Sequence, residues 1–174
     1  MKDGAPTYSE APDKFNRRAF RDALARFPTG VTIVSARAEN GDAVGITVNS
    51  FSTVSLNPPL VLWSLAQHSP TLPIFQQCTF FGVNVLAEDQ VALSRRFAGK
   101  HAEKFDGVAW EEGLGGVPLI DGCAARFECR NQVRHVGGDH IIFVGLVERF
   151  VRFDRPSLVF SHSRYHRVGG LAND

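Results

Sequence analysis

Residues 45–65 constrain the fold more than any other stretch, because two strand patterns flank a short polar connection. After Gly45 the side chains alternate between two faces, with Ile46, Val48 and Ser50 on one and Thr47, Asn49 and Phe51 on the other, and Leu60 to Trp63 is a continuous apolar run. Since side chains alternate between the two faces of a strand, several polar groups here should point into one space. These groups are Thr47, Asn49, Ser50, Ser52, Thr53, Ser55 and Asn57. The cluster fits either ordinary turn chemistry or the polar lining of a ligand site.

The remaining strand patterns are short and closely spaced. They cover residues 31–36, 80–86, 123–134, 140–153 and 157–168. An Asn-Gly pair at 40–41 and a Gly-Gly-Asp turn at 137–139 are typical of tight connections. Six or seven strands joined mainly by such turns predict a mainly β, antiparallel sheet that closes into a barrel.

Two or three short helices should flank this barrel. Apolar residues recur at helical spacing over 15–27, and Pro28 follows them. A short helix capped by Ser69 or Thr71 has a proline in its first turn. Residues 87–98 begin acidic and end basic, as the helix dipole favours. The Gly-rich segment 100–116 is predicted as a loop.

Length and composition predict one cytoplasmic domain. A chain of 174 residues is long enough for a single core, which we assign to 15–168, with a flexible arm at 1–14 and a tail at 169–174. The net charge of +1 gives no reason to expect nucleic acid, and no apolar run has the roughly 20 residues that span a bilayer. Cys78, Cys123 and Cys129 have no metal or disulfide spacing and are predicted to be reduced, mostly buried thiols.

Several standard catalytic signatures are absent from the sequence. It contains no dinucleotide-binding glycine motif, P-loop or nucleophile elbow. His162 and His166 would share a face if their segment is extended, but no third ligand accompanies them, so no metal site is predicted. His140 opens a hydrophobic strand directly after the Gly-Gly-Asp turn, which places an imidazole at the barrel rim. It either faces solvent or contacts a ligand over the barrel mouth.

Five motifs in this order resemble the short-chain flavin reductases, the small NAD(P)H-dependent reductase components of two-component flavin monooxygenases. They are Pro28–Val31, Gly45–Phe51, Ser55–Leu60, Phe97 with Lys104-Phe105, and Gly138–Ile142. The resemblance implies an FMN-binding split β-barrel that works as a homodimer. It also implies hydride transfer from NADH, with NADPH possible, to free FMN or FAD. The reduced flavin would supply a separate monooxygenase that attacks an aromatic compound.

The resemblance also implies roles for individual residues. His140 would contact the nicotinamide and be the catalytic residue, and Thr29 and Gly30 would approach the flavin from a neighbouring strand. The isoalloxazine and ribityl chain would contact Thr47, Val48, Asn49 and Ser50. Residues near the phosphate would be Ser64, Ser69, Thr71, Lys104 and Phe105, and Tyr165 with Arg164 would match the family's ending on the last strand. Arg95 or Arg96 would either serve the phosphate or be solvated.

Two other functions are compatible with the residues alone. One is a non-catalytic split-barrel protein that binds flavin or haem through its histidines. The other is a barrel whose polar bend is structural and whose function lies at a protein interface. The Gly-Asp-His motif favours the reductase, because a storage protein has no need of a nicotinamide contact.

Overall fold

The computed structural model describes residues 15–101 and 103–169. The predicted arm at 1–14, and the predicted tail beyond Gly169, lie outside this range. Among the described residues there are three α-helices: α1 (Arg17–Leu24), α2 (Leu72–Gln77) and α3 (Val91–Ala98). The first strands are β1 (Thr29–Gly30), β2 (Thr32–Arg37), β3 (Ala43–Val48), β4 (Ser52–Leu56), β5 (Pro59–Ala66) and β6 (Phe80–Val85). The later ones are β7 (Trp110–Glu112), β8 (Pro118–Ile120), β9 (Ala125–Gly137), β10 (His140–Arg152), β11 (Leu158–Ser161) and β12 (Arg164–Arg167).

Seven strands form one antiparallel sheet in the order β3-β2-β6-β9-β10-β5-β4. The sheet curls so that the end of β3 meets β5. There the Ser50 hydroxyl accepts a hydrogen bond from the Ser64 N–H at 2.9 Å and lies 3.2 Å from its carbonyl oxygen. The mainly β, antiparallel architecture with short flanking helices is therefore confirmed. Among the described residues, no helix is long and apolar enough to cross a membrane.

Strand β2 separates two hydrophobic cores, because alternate side chains point to opposite faces. Val34 faces the barrel interior, where Trp63 stacks on Phe143 with ring centroids 4.6 Å apart. Ile33 faces the opposite side and packs in a second core with Phe97 of α3. Both β2 residues are fully buried. The second core fixes α3 against the outside of the barrel.

The polar connection predicted within residues 45–65 is wrong in part, because residues 52–56 form strand β4. This strand pairs with β5 through a turn at Asn57-Pro58, whose peptide bond is cis. Its side chains are mostly exposed, since β4 is the last strand of the sheet. The hydroxyls of Ser52 and Thr53 therefore belong to a solvated sheet edge.

The predicted strand at 157–168 is two strands, β11 and β12, which form a hairpin. His162 and Ser163 make the turn with φ angles of 52° and 58°. Non-glycine residues rarely adopt this conformation. Because neither turn residue is Gly or Asn, the sequence does not indicate this hairpin. His162 therefore lies in a turn and does not share an extended face with His166.

Smaller corrections concern the ends of elements. The first helix ends at Leu24, earlier than predicted, and Asn16 caps it by accepting from the N–H groups of Arg18 and Ala19. The third helix begins at Val91, and the predicted loop at 100–116 contains the short strand β7.

Candidate functional site

A groove of about 920 Å³ opens between β3 and the segment that follows β5. It is lined by residues 43–50, 64–66, 68–71, 98–101, Lys104 and His140. Its floor is β3, one wall is the end of α3 with the following loop, and the other wall is the end of β5. The groove lies within the size range of small-molecule sites.

Strand β3 presents an unpaired backbone edge to this groove. Among the described residues its only strand neighbour is β2, and the Ala38 N–H of the same hairpin donates to the Asp42 carbonyl at 2.9 Å. Hydrogen-bonded pairs recur at every second residue of an antiparallel ladder. Val44, Ile46 and Val48 therefore pair with β2, whereas the N–H and C=O groups of Gly45 and Thr47 face away from it. A row of backbone donors and acceptors is thus available to a flat polar ligand.

Helix α3 holds this edge strand from the outside of the barrel. The Thr47 hydroxyl donates to the Ser94 carbonyl at 2.7 Å, and Gly45 lies against the Phe97 ring. A Cβ atom at Gly45 would be 2.7 Å from that ring, so the contact requires glycine. Lys104 Nζ donates to the Phe97 carbonyl at 2.8 Å and lies 3.5 Å from that of Gly45. Desolvation by partial burial lowers the pKa of Lys104.

The opposite wall carries hydroxyls at the start of α2. Ser69 and Thr71 hydrogen-bond to each other at 3.0 Å. Thr71 occupies the N-cap position, but its side chain makes no capping hydrogen bond. The predicted side-chain cap is therefore absent at Thr71, and the paired hydroxyls line the groove instead.

His140 lies at the rim, at the first position of β10. Its Nδ1 is 2.7 Å from Asp139 Oδ1, which leaves Nε2 without a hydrogen-bond partner among the described residues. The hydrogen bond from His140, followed by the charge of that imidazole, lowers the pKa of Asp139. A carboxylate accepts only, so in the neutral imidazole this contact favours the tautomer with Nδ1 protonated and Nε2 free to accept.

The groove brings together most of the side chains that the sequence suggested for a ligand. They are Thr47, Val48, Asn49, Ser50, Ser64, Ser69, Thr71, Lys104 and His140. Four other predicted residues, Thr29, Gly30, Phe105 and Tyr165, do not line it.

Each of these four lies elsewhere. Thr29 and Gly30 form β1 against β11, and the buried Thr29 hydroxyl has no hydrogen-bond partner among the described residues. Phe105 packs edge-on against Phe97, at 4.8 Å, below the groove. The Tyr165 hydroxyl lies 2.9 Å from the Ser94 hydroxyl.

Sequence reasoning missed three basic groove residues, His68, Lys100 and His101. They lie in connections after β5 and α3, where no periodicity or motif marks them. Lys100 and Lys104 place positive charge on one wall of the groove, which suits an anionic group such as a phosphate. Within the described ranges, no three potential metal ligands cluster.

These features fit a flavin nucleotide better than a compact substrate. A flavin needs hydrogen-bond partners along one edge of its ring, apolar contact on a face, and a partner for its phosphate. The free edge of β3, the side chains around it and Lys104 offer the corresponding groups in one groove.

Comparisons with known proteins agree with this fit. A family model described as "Flavin reductase like domain" matches residues 24–169. The chain is 47% identical over 156 residues to the FMN reductase (NADH) SmoA of Agrobacterium fabrum, covering 90% of this chain and 88% of that protein. It is 39% identical to the 4-hydroxyphenylacetate 3-monooxygenase reductase component of Thermus thermophilus, covering 87% of this chain and 97% of that one.

A solved structure gives the same likeness in three dimensions. An NADH:FAD oxidoreductase of Streptomyces globisporus C-1027, in complex with NAD and FAD fragments, superposes with a TM-score of 0.86. The two chains are 36% identical, and the match covers 91% of this chain and 96% of the other.

Proposed function

The chain belongs to the flavin reductase like domain family, and on that premise we propose that it reduces free FMN or FAD with NADH for a separate monooxygenase. It is a flavin oxidoreductase, as the resemblance in the sequence implied. The observation that carries the proposal is the groove, where the free edge of β3 and the rim residue His140 face one space.

The chemistry requires positioning more than proton transfer. A flavin held in the groove would supply the hydride acceptor for the nicotinamide, and the protein's part would be to hold the two reacting atoms roughly 3–3.5 Å apart. In the proposed arrangement the edge of β3 holds the flavin ring by hydrogen bonds, and Lys104 binds its phosphate. His140 accepts a hydrogen bond at Nε2 from the nicotinamide end of NADH.

Oxidation of NADH by the purified protein tests the proposal. We expect consumption of NADH to depend on added FMN or FAD, and NADPH to be the poorer donor. If neither flavin permits oxidation of NADH or NADPH, the proposed function is wrong.

Transfer of the reduced flavin to another protein has its own test. Support for it comes from the relative named as the reductase component of 4-hydroxyphenylacetate 3-monooxygenase, which suggests an oxygenase that attacks an aromatic compound. Under anaerobic conditions, cytochrome c placed behind a dialysis membrane should be reduced when the enzyme turns over NADH and FMN. If cytochrome c is reduced only when it shares a compartment with the enzyme, release of the reduced flavin is contradicted.

The outer face of the sheet supports the homodimer that the sequence resemblance implied. On β10 and β5, the residues facing away from the core pair in register, Val144 with Leu62 and Leu146 with Leu60. All four are apolar and only partly buried. A solvated face of an antiparallel sheet normally carries polar residues, so this face fits a second copy of the chain.

A charge placed on this face tests the dimer. We expect Val144→Glu to shift the protein from dimer to monomer in light scattering coupled to size-exclusion chromatography. Val168→Glu is the matched control, because Val168 is exposed and follows β12, a strand of the three-stranded sheet that includes neither β10 nor β5. A wild-type protein that elutes as a monomer would contradict the homodimer.

A further inference from the structure

Tyr165 forms a side-chain hydrogen bond with α3 and does not line the groove. Its hydroxyl lies 2.9 Å from the hydroxyl of Ser94, which is fully buried. The carbonyl of the same Ser94 accepts from Thr47 at 2.7 Å, and Thr47 lines the groove. Two hydrogen bonds on one helical residue thus join Tyr165 on β12 to the floor of the site.

The bond to Ser94 determines what Thr47 can offer a ligand. A threonine hydroxyl has one hydrogen to donate and two lone pairs to accept with. Because a carbonyl oxygen only accepts, the Thr47 hydrogen is committed to Ser94. Thr47 can therefore only accept a hydrogen bond from a molecule in the groove, and the ligand must place an N–H or O–H donor there.

The orientation of Thr47 depends on where α3 holds the Ser94 carbonyl. Within the part of the chain that the structure describes, β3 has no strand neighbour on its groove side, so its contacts with α3 through Thr47 and Gly45 help to hold it. Tyr165 gives the buried Ser94 hydroxyl a partner. Without that partner, the hydroxyl would bond back to the carbonyl of Gln90, one helical turn earlier. Such back-bonding bends helices and would move the Ser94 carbonyl.

We propose that Tyr165 is a positioning residue, which acts through Ser94 to hold the Thr47 hydroxyl as an acceptor for a donor group of the flavin. This inference rests on the proposed function. It adds a residue outside the groove and gives the direction of one hydrogen bond, in which Thr47 accepts and the ligand donates. The flavin has two kinds of donor, the ring N3–H and the ribityl hydroxyls. Both can donate the hydrogen bond that Thr47 accepts.

A double-mutant cycle on FMN binding tests the pathway. We expect Thr47→Val to weaken the affinity for FMN roughly tenfold, Thr47→Ser to keep it near the wild-type value, and Tyr165→Phe to weaken it roughly threefold. The double variant Thr47→Val, Tyr165→Phe should bind FMN no more weakly than Thr47→Val alone, because both changes remove one effect. The KM for NADH should be unchanged in Tyr165→Phe.

The cycle distinguishes a positioning role from a general loss of stability. Additive losses in the double variant would mean that Tyr165 acts independently of Thr47, and the inference would be wrong. An equal rise of the KM values for NADH and FMN in Tyr165→Phe would likewise show a merely structural effect and contradict it.

Two flavin analogues identify the donor. If it is the ring N3–H, Thr47→Val should bind 3-methyl-FMN as well as the wild type does, and should still bind lumiflavin more weakly. If it is a ribityl hydroxyl, the pattern should reverse, because lumiflavin lacks the ribityl chain. A Thr47→Val penalty that persists with both analogues would overturn the assignment of a donor.

Failure of this inference can be told from failure of the proposed function. A wild-type protein that binds no flavin would overturn both. A wild-type protein that oxidises NADH with FMN, together with a Thr47→Val variant of unchanged FMN affinity, would overturn only the roles of Thr47 and Tyr165.

Discussion

His140 is the groove residue whose proposed role separates the two substrates. Its Nδ1 lies 2.7 Å from Asp139 Oδ1, and in the proposed arrangement its Nε2 accepts from the nicotinamide end of NADH. We expect His140→Ala to raise the KM for NADH roughly tenfold, as the loss of one oriented hydrogen bond would, and to leave FMN affinity unchanged. Steady-state kinetics with equilibrium titration of FMN measure both quantities.

Asp139→Asn provides the companion variant for His140. The amide can orient the imidazole without a negative charge, so its effect on the KM for NADH should be smaller than that of His140→Ala. Loss of FMN binding in His140→Ala, with an unchanged KM for NADH, would reverse the assignment.

Lys104 has two possible roles, and one measurement separates them. Its ammonium group bonds to the Phe97 carbonyl inside the site, yet it also lines the groove. If it binds the phosphate, Lys104→Met should weaken FMN binding roughly tenfold and leave riboflavin binding unchanged. Equal losses for FMN and riboflavin would show that Lys104 only braces β3 against α3.

The preference for FMN over riboflavin should depend on pH in a defined direction. Desolvation lowers the pKa of Lys104, so its charge is lost at a lower pH than that of an ordinary lysine. The preference for FMN over riboflavin should therefore fade as the pH rises towards that lowered pKa, and Lys104→Met should show no such change.

The shape of the groove depends on the contact between β3 and α3. A Cβ atom at Gly45 would lie 2.7 and 2.8 Å from two carbons of the Phe97 ring, and Phe97 is fully buried. We expect Gly45→Ala to lower the free energy of unfolding by roughly 1–3 kcal/mol, as overpacking does, and to weaken FMN binding. Urea unfolding and an FMN titration measure the two effects.

Gly30→Ala is the matched control for stability, because a Cβ atom at Gly30 has no neighbour within 4 Å. Its free energy of unfolding should stay within about 0.5 kcal/mol of the wild-type value, as is usual for surface changes. A Gly45→Ala protein as stable as the control would mean that α3 shifts to accommodate the Cβ atom and does not fix β3.

Elements with a clear period could be predicted from the sequence, and elements without one could not. The alternation in β3 and the apolar run in β5 were sufficient to place Thr47, Asn49 and Ser50 near one another. Strand β4 was missed because an exposed edge strand needs no apolar face, and its Ser and Thr residues resemble a bend. The contact of Tyr165 with Ser94 could not be predicted, because it depends on where the hairpin β11–β12, whose turn contains no Gly or Asn, meets α3.

The two cores together contain three cysteines as free thiols. Cys129 lies in the barrel core and Cys123 in the second, while Cys78 packs at the edge of the first. Desolvation by burial raises their pKa values from the ordinary 9.0 to about 11 for Cys78 and about 12 for Cys123 and Cys129. All three thiols should therefore remain protonated and unreactive in the folded protein at neutral pH.

These pKa shifts make the free energy of unfolding depend on pH in the alkaline range. Above pH 9.0 the unfolded chain releases thiol protons that the folded chain retains, so the unfolded state binds fewer protons. The free energy of unfolding must then fall as the pH rises from 9.0 towards the folded values. Lys104 acts in the opposite direction, because its pKa is lowered on folding, but it is one partly exposed amine against two buried thiols and one partly buried thiol.

A variant without the two most deeply buried thiols isolates this effect. The free energy of unfolding, measured in urea at fixed protein concentration, should fall between about pH 8.5 and about pH 10.5 in the wild type. In Cys123→Ala, Cys129→Ala the fall should be clearly smaller, even though the cavities lower stability at every pH. Other groups titrate alike in both proteins, so the difference in slope reports the thiols. Equal slopes would mean that these cysteines ionise as easily in the folded chain as in the unfolded one.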